Sequence, residues 1–355
     1  MLFVNRINKE ELKQRLASET FKRKTISFYR YVNIADPLVF RNNIYRIWNK
    51  LECFGRIYIA HEGINAQMSV PEIYLTEFLS LLNEISELNN IPIKYAIEDD
   101  GKSFYKLTIK VRKKIVSDGL DAGSFDVTNV GNHLTAIEFH EAINDPDAIV
   151  VDMRNHYESE IGRFDNAYCP DADTFRDAIG MVSKAFKDDK NKKLLLYCTG
   201  GIRCEKASAY LKHQGFVNVN QLYGGIIEYA QQIKSGGLQS KFKGRNFVFD
   251  ERLGESIDEN VISKCHQCGN AADTHTNCAN ADCHLLFIQC SFCDTKYEGC
   301  CSEDCRQINK MPDDEKKKFR VLRHQLYSQS KIFKSRLRPE IMKQQNETAN
   351  MPYHG

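Results

Sequence analysis

Cys198 opens the run Cys198-Thr199-Gly200-Gly201-Ile202-Arg203. The apolar stretch Leu194-Leu195-Leu196-Tyr197 precedes it, and a helical pattern over residues 205–211 follows. A cysteine at a strand end, in a glycine-bearing loop that opens a helix, sits among outward-pointing backbone N–H groups. Those donors and the positive end of the helix dipole favour the thiolate. Gly200 and Gly201 allow a tight curl that aims several N–H groups at one sulfur. Arg203 adds a fixed positive charge. The chemistry expected is nucleophilic, with Cys198 and Arg203 catalytic and Thr199, Gly200, Gly201 and Ile202 holding substrate. The plain alternative is a buried structural cysteine on a strand.

Loop length separates two chemistries. Cysteine phosphatases place five residues between Cys and Arg to wrap a phosphate, whereas four lie between Cys198 and Arg203. The smaller cradle suits a bound sulfur atom, a persulfide, better than a phosphate. Cys204, in the first turn of the expected helix, reads as a packed residue or as a resolving thiol.

Nine of the thirteen cysteines crowd into residues 265–305. Cys265-x2-Cys268 and Cys290-x2-Cys293 are knuckles with 21 residues between them. Cys278-x4-Cys283 lies between the knuckles, and Cys300, Cys301 and Cys305 lie beyond. Interleaved pairs suit a cross-braced two-zinc site. One metal takes Cys265, Cys268, Cys290 and Cys293. The other takes Cys278, Cys283, Cys305 and one of Cys300 or Cys301, with Cys301 preferred. A segment of about 40 residues buries little core and calls for such a staple. Disulfides, or reduced cysteines packed by the other domains, are the alternatives. His266, His275 and His284 read as solvated loop residues. Thiol clustering of this kind points to a reducing, cytoplasmic compartment.

Two basic features bear on a polyanionic partner. Residues 241–250 interleave Lys243 and Arg245 with Phe242, Phe247 and Phe249. Such a strap can contact an RNA backbone and stack bases, or simply pack between domains. From Arg306 to Gln345 there are 12 Lys or Arg against 4 Asp or Glu, net +8. Against +2 for the whole chain, that leaves −6 elsewhere. A charge run is often a solvated face, but a basic tail on an acidic body favours phosphate contact.

These groups need elements to hold them. At 355 residues the chain has room for two or three domains. No run of 18 apolar residues exists, so no spanning helix or membrane partner is expected. The first residues lack a signal-peptide core. Residues 26–32, 56–60, 63–70, 93–97 and 107–111 read as strands, and helices are expected from Pro37 to about 51 and from Pro71 to about 88. The order β-α-β-β-α-β suggests a ferredoxin-like, acylphosphatase-like domain over residues 1–118. Between its central strands, His61-Glu62-Gly63-Ile64-Asn65 reads as a hairpin turn, or as a loop presenting His61 and Asn65 to substrate.

Around the cysteine loop, residues 129–235 resemble a rhodanese domain, an α/β fold with a parallel sheet. The resemblance rests on four motifs in order. A strand ends in Asp152-Met153-Arg154. Gly162-Arg163-Phe164-Asp165-Asn166-Ala167 is similar to the family's Gly-His-x-x-Gly-Ala run, with Arg163 in place of His and Asn166 in place of Gly. The cysteine loop is the third motif, and the strand with Gly224-Gly225 is the fourth.

The arrangement over residues 15–320 resembles the bacterial tRNA uridine hydroxylase family. It joins the acylphosphatase-like domain, the Cys198–Cys204 run, the strap Phe242-Lys243-Gly244-Arg245-Asn246-Phe247-Val248-Phe249-Asp250 over 236–262, and the Cys-rich module with its basic helical tail over 263–345. The resemblance implies oxygen-dependent 5-hydroxylation of the wobble uridine of tRNA, with Cys198 reacting, molecular oxygen as co-substrate and tRNA as partner. Lys243, Arg245 and Phe247 are the strap residues expected to meet the RNA. No flavin or haem motif is visible. A sulfurtransferase carrying a persulfide on Cys198 is the second reading.

Overall fold

The structure is a computed structural model; it describes residues 7–316 apart from Ala122, His284 and Asp313. After helix α1 (Lys9–Ala17), the N-terminal region runs β1 (Arg23–Tyr31), α2 (Pro37–Lys50), β2 (Phe54–Ala60), β3 (Gly63–Pro71), α3 (Leu75–Glu84), β4 (Lys94–Tyr95) and β5 (Leu107–Val111). The sheet order is β4-β1-β3-β2-β5. The first four strands are the antiparallel ferredoxin-like set, and β5 is appended parallel to β2. Asp36 caps α2, its carboxylate accepting from the N–H groups of Leu38 and Val39, with Pro37 in the first turn. Phe40, Ile44 and Trp48 then recur at helical spacing and bury against the sheet, beside Phe78 and Leu82 of α3.

Period-two alternation gives this sheet two unlike faces. Ile26, Phe28, Ile57, Ile64, Ala66 and Met68 point into the helix-covered core. The opposite face carries two polar rows set by register. Tyr29 lies across from Asn65, which lies across from Tyr58; Ser27 lies across from Gln67, which lies across from Arg56.

The second region is a four-stranded parallel sheet, order β6-β10-β9-β7. Its elements are β6 (Asn132–Leu134), α4 (Ala136–Ala142), β7 (Ile149–Asp152), α5 (His156–Ile161), the outlying strand β8 (Gly162–Phe164), α6 (Phe175–Ala185), β9 (Leu194–Tyr197), α7 (Ile202–His213), β10 (Val219–Leu222) and α8 (Gly225–Ser235). Helices cover both faces, so the central β9 is apolar throughout and fully buried. Asp152 and Arg154 form a wholly buried ion pair, 2.7 Å between Oδ2 and Nη2, and Arg154 also donates to the Gly162 carbonyl at 2.6 Å.

The strap forms β11 (Phe242–Asn246), paired with β8 and with β12 (Glu255–Ser256). The Cys-rich segment folds as a hairpin, β13 (His275–Asn277) and β14 (Leu286–Ile288), followed by α9 (Ser291–Tyr297) and α10 (Glu303–Lys310).

Several expectations are corrected. Pro71 ends β3 rather than opening a helix, because its backbone continues the ladder opposite Arg23. α3 starts at Leu75 and stops at Ile85, whose backbone is extended. Phe242 and Phe247 are buried, 0% and 3% exposed. Phe247 packs against Tyr157, Phe249 and His275, so it is a core residue of the strap and offers no free face to a base. His266 and His275 are buried rather than solvated, and His266 Nε2 lies 2.7 Å from Glu160. His284 and the tail beyond Lys316, with Lys317, Lys318, Arg320 and Arg323, lie outside the described residues.

Candidate active site

Cys198 stands just beyond the C-terminal end of β9, the place where parallel α/β sheets hold their ligands. Gly201 caps α7 with φ +97°, a left-handed conformation that favours glycine, and its N–H donates to Cys198 Sγ at 3.2 Å. The loop rests on the turn that starts α8. There the Ile226 and Ile227 N–H groups donate to the carbonyls of Cys198 and Thr199 at 3.0 and 3.2 Å. A Cβ on Gly225 would come within 2.5–2.7 Å of that loop's backbone.

Electrostatics make the thiol acidic. Burial alone would push its pKa up. The Cys204 thiol, the Arg203 charge and the backbone N–H groups of Cys204 and Arg203 outweigh burial and bring it down to about 6. Cys204 itself is pushed well above the ordinary thiol range, first by burial and then by the neighbouring Cys198. It acts as a hydrogen-bond donor packed in the first turn of α7.

Arg203 is not free to grip a ligand by itself. Its guanidinium donates twice to Glu158, at 2.6 and 2.8 Å, and to Thr199 Oγ1 at 3.3 Å. Glu158 is fully buried and also accepts from the Asn155 N–H at 3.0 Å. This carboxylate aligns the arginine, a role that the sequence reading does not assign to it. The capping box Asn155-x-x-Glu158 is the available signal.

The loop faces a cavity of about 330 Å³ whose other wall is the polar face of the N-terminal sheet. Cys198, Thr199, Gly200, Ile202 and Arg203 line one side; Tyr29, Asn65, Gln67, Tyr58, Arg56 and Lys94 line the other. Gly201 sits beneath the Tyr29 hydroxyl. The two regions are tied by direct bonds. Tyr29 donates to Glu205 at 3.0 Å and Tyr31 to the Ile202 carbonyl at 3.3 Å. Lys206 of α7 joins Glu62 and Asp118, each at 2.7 Å, and is nearly wholly buried.

Of the residues around the β2–β3 turn, Asn65 reaches this cavity. His61 instead meets the Ile34 carbonyl through Nδ1 at 3.0 Å and lines a separate surface hollow. The strap contributes Phe249 to the cavity. Lys243 pairs with Asp165 at 3.0 Å, Arg245 donates to the Gly254 carbonyl at 3.1 Å, and Phe247 is packed, so the structure does not bring these three to the thiol.

The thiol clusters divide as the spacing suggests. Cys265, Cys268, Cys290 and Cys293 form one group and Cys278, Cys283, Cys301 and Cys305 another, each with its sulfurs within 4.8 Å of one another. The separations Cys268–Cys290 and Cys283–Cys301 are 3.6 Å and Cys301–Cys305 is 3.7 Å. A tetrahedral four-thiolate site with ~2.3 Å bonds has edges of about 3.8 Å, whereas a disulfide needs about 2.05 Å. Backbone N–H groups of Cys293 and Cys301 point at Cys290 and Cys278 sulfurs at 3.5 and 3.4 Å. Crowding splits the thiols: Cys305 is held far below the ordinary range by Cys278, Cys283 and Cys301, while Cys301 is pushed up by Cys278, Cys283 and Cys305. A bound cation lets all four ionise. The geometry takes Cys301, while the buried Cys300 offers its carbonyl to Gln267 and Gln289. Both clusters can hold a metal ion.

Comparison with known proteins agrees with this architecture. Residues 23–115 match the family model described as UPF0176 acylphosphatase like domain, residues 135–232 the Rhodanese-like domain, and residues 243–306 the Rhodanase C-terminal. A protein of Leptospira interrogans named tRNA uridine(34) hydroxylase is 51% identical over 337 residues, covering 95% of this chain and 91% of that one. One of Photorhabdus laumondii with the same name is 51% identical over 336 residues, covering 94% and 95%. One of Yersinia pestis, likewise named, is 52% identical over 318 residues, covering 89% and 90%.

Proposed function

The chain belongs to the tRNA uridine(34) hydroxylase family, and from that premise we propose that it hydroxylates the wobble uridine of tRNA with Cys198 as the reacting group. The observation that carries this reading is the cavity. An acidic thiol opens onto a space large enough for a nucleoside, walled by side chains with donors, acceptors and aromatic rings. An anticodon-loop uridine is already partly unstacked, so bringing it there costs little. In this reading molecular oxygen is the co-substrate, and a tRNA substrate supports a cytoplasmic location.

The clusters fit zinc, held by Cys265, Cys268, Cys290 and Cys293 and by Cys278, Cys283, Cys301 and Cys305. Zinc there supplies folding free energy to a segment with little core. A second groove, about 450 Å³, shares Arg56 with the thiol cavity and presents Arg41, Lys106 and Lys110 beside Asp250 and Glu251. It gives the RNA backbone a path away from the base pocket, in addition to the basic tail.

The sulfurtransferase reading retains one supporting observation, the short loop whose Gly201 N–H points at sulfur. One experiment separates the two: nucleoside mass spectrometry of tRNA from a deletion strain with and without the gene, alongside a thiosulfate assay of the purified protein. Restoration of 5-hydroxyuridine is expected. Efficient sulfur transfer with no 5-hydroxyuridine in tRNA would replace hydroxylation by sulfur transfer.

A further inference from the structure

Lys94 lines the thiol cavity from β4, at the edge of the N-terminal sheet, where it is paired across from Ser27. It is 8% exposed. Among the described residues its ammonium has no ion pair and no hydrogen bond; its contact is with the face of the Tyr29 ring, 4.7 Å from the centroid. Its chain passes the glycine turn under the cysteine loop, with Cε 3.6 Å from where a Cβ on Gly224 would stand. The carboxylates that face it at longer range are Glu228 of α8 and Glu205 of α7. Burying a cation without a partner is costly. A site that keeps one, opposite a thiolate in the same cavity, is arranged for negative charge that arrives with a ligand.

We propose that Lys94 is a catalytic residue that takes the charge appearing on O4 of the uracil when the Cys198 thiolate adds to ring carbon C6. The inference rests on the functional reading above and deepens it by assigning the bond that forms first. The sulfur lone pair makes the S–C6 bond. The C5=C6 π pair moves onto C5 and is shared with O4, where the ammonium stabilises it. No oxidant enters this step. C5, only weakly nucleophilic in free uracil, becomes an enolate carbon. In reverse, the pair returns to C5=C6 and the thiolate leaves. Burial lowers the Lys94 pKa against the opposing pull of Glu228, Cys198 and Glu205, which makes its proton easier to lend to O4.

The step has a signature that does not require hydroxylation. With oxygen excluded, the pair at C5 picks up a solvent deuteron. Loss of the original C5 proton and expulsion of the thiolate then return uridine labelled at C5. The test incubates full-length protein with tRNA bearing unmodified uridine 34 in heavy water under anaerobic conditions and measures deuterium in that nucleoside by mass spectrometry. The same preparations are assayed in air for 5-hydroxyuridine, with tRNA affinity and thermal unfolding recorded. Wild type should exchange the C5 hydrogen and Cys198→Ser should not. Lys94→Met should exchange and hydroxylate about 100-fold more slowly with unchanged tRNA affinity, and Lys94→Arg, which keeps the charge, should recover part of the rate. Hydroxylation in air without anaerobic exchange overturns the addition step. Wild-type exchange in Lys94→Met overturns the role of Lys94. Failure of wild type to form 5-hydroxyuridine in air removes the functional reading itself, and the step with it.

Discussion

A thiol that is ionised near neutrality is the residue-scale core of the site. An ordinary cysteine titrates near 9, so between pH 6 and 9 it is neutral while Cys198, at about 6, is a thiolate. Falling pH protonates Cys198 only as it passes about 6. Its alkylation rate should therefore be half-maximal near pH 6, and mass-spectrometric mapping at neutral pH should find Cys198 modified before Cys204. Cys204→Ala removes the thiol donor to the sulfur, so the midpoint should move upward; an unmoved midpoint would show that the backbone donors and Arg203 suffice. Glu158→Ala strands the buried Arg203 guanidinium and should cost about 3–5 kcal/mol of stability, read from denaturant unfolding. The loop itself is legible in the sequence because its cysteine, glycines and arginine are contiguous. Glu158 is not, since it meets Arg203 across 45 residues of chain, and only folding brings the pair together. Lys94 is equally hidden: nothing in its local pattern distinguishes a lysine facing solvent from one facing a thiolate.

Among the elements, α2 and the long strands β1, β2 and β3 are legible because their apolar spacing is regular and Pro37 marks a helix start, whereas α1 is missed and α3 begins at Leu75 rather than at Pro71. What spacing does not disclose is the use of the sheet's second face. Alternation says that Ser27, Tyr29, Asn65, Gln67, Arg56 and Tyr58 share a side, and the same pattern describes a sheet facing water. Only the docking of α7, through Tyr29, Tyr31 and Lys206, turns that side into the wall of a site. The strap shows the converse error. Phenylalanines between basic residues look like stacking platforms, but antiparallel pairing of β11 with β8 buries Phe242, and Phe247 follows it inward. Turn geometry carries its own prediction. Gly225 has φ +69° and no room for a Cβ beneath the Cys198 and Thr199 carbonyls. Gly225→Ala should displace the loop, slow Cys198 alkylation and reduce tRNA hydroxylation by about 100-fold. Normal activity in that variant would mean the loop tolerates the shift.

At the scale of the whole molecule, three units cooperate: a parallel sheet that offers the thiol, a mixed sheet whose polar face closes over it, and a cysteine-rich module beside both. Interleaved Cys-x2-Cys spacing makes the two cysteine groups legible before folding, while it takes the folded chain to show that the sulfur beside Cys278, Cys283 and Cys305 is that of Cys301. Purified protein should carry two zinc per chain by elemental analysis. Cys301→Ser should lose one and Cys300→Ser should keep both, and chelation should unfold the C-terminal module first. Recognition of tRNA should draw on the groove beside the cavity. Reversing Arg41, Lys106 and Lys110 to Glu should weaken binding across tRNAs and flatten its log–log salt dependence, by about 0.7–0.9 for each phosphate that is no longer neutralised. Unchanged affinity and slope would place the RNA path elsewhere. The central claim is that the Cys198 thiolate modifies the wobble uridine. The most direct measurement is the 5-hydroxyuridine content of tRNA, by nucleoside mass spectrometry, in a deletion strain complemented with wild type or with Cys198→Ser at matched protein levels. Wild type is expected to restore the modification and Cys198→Ser to leave it absent; full restoration by Cys198→Ser would contradict the claim.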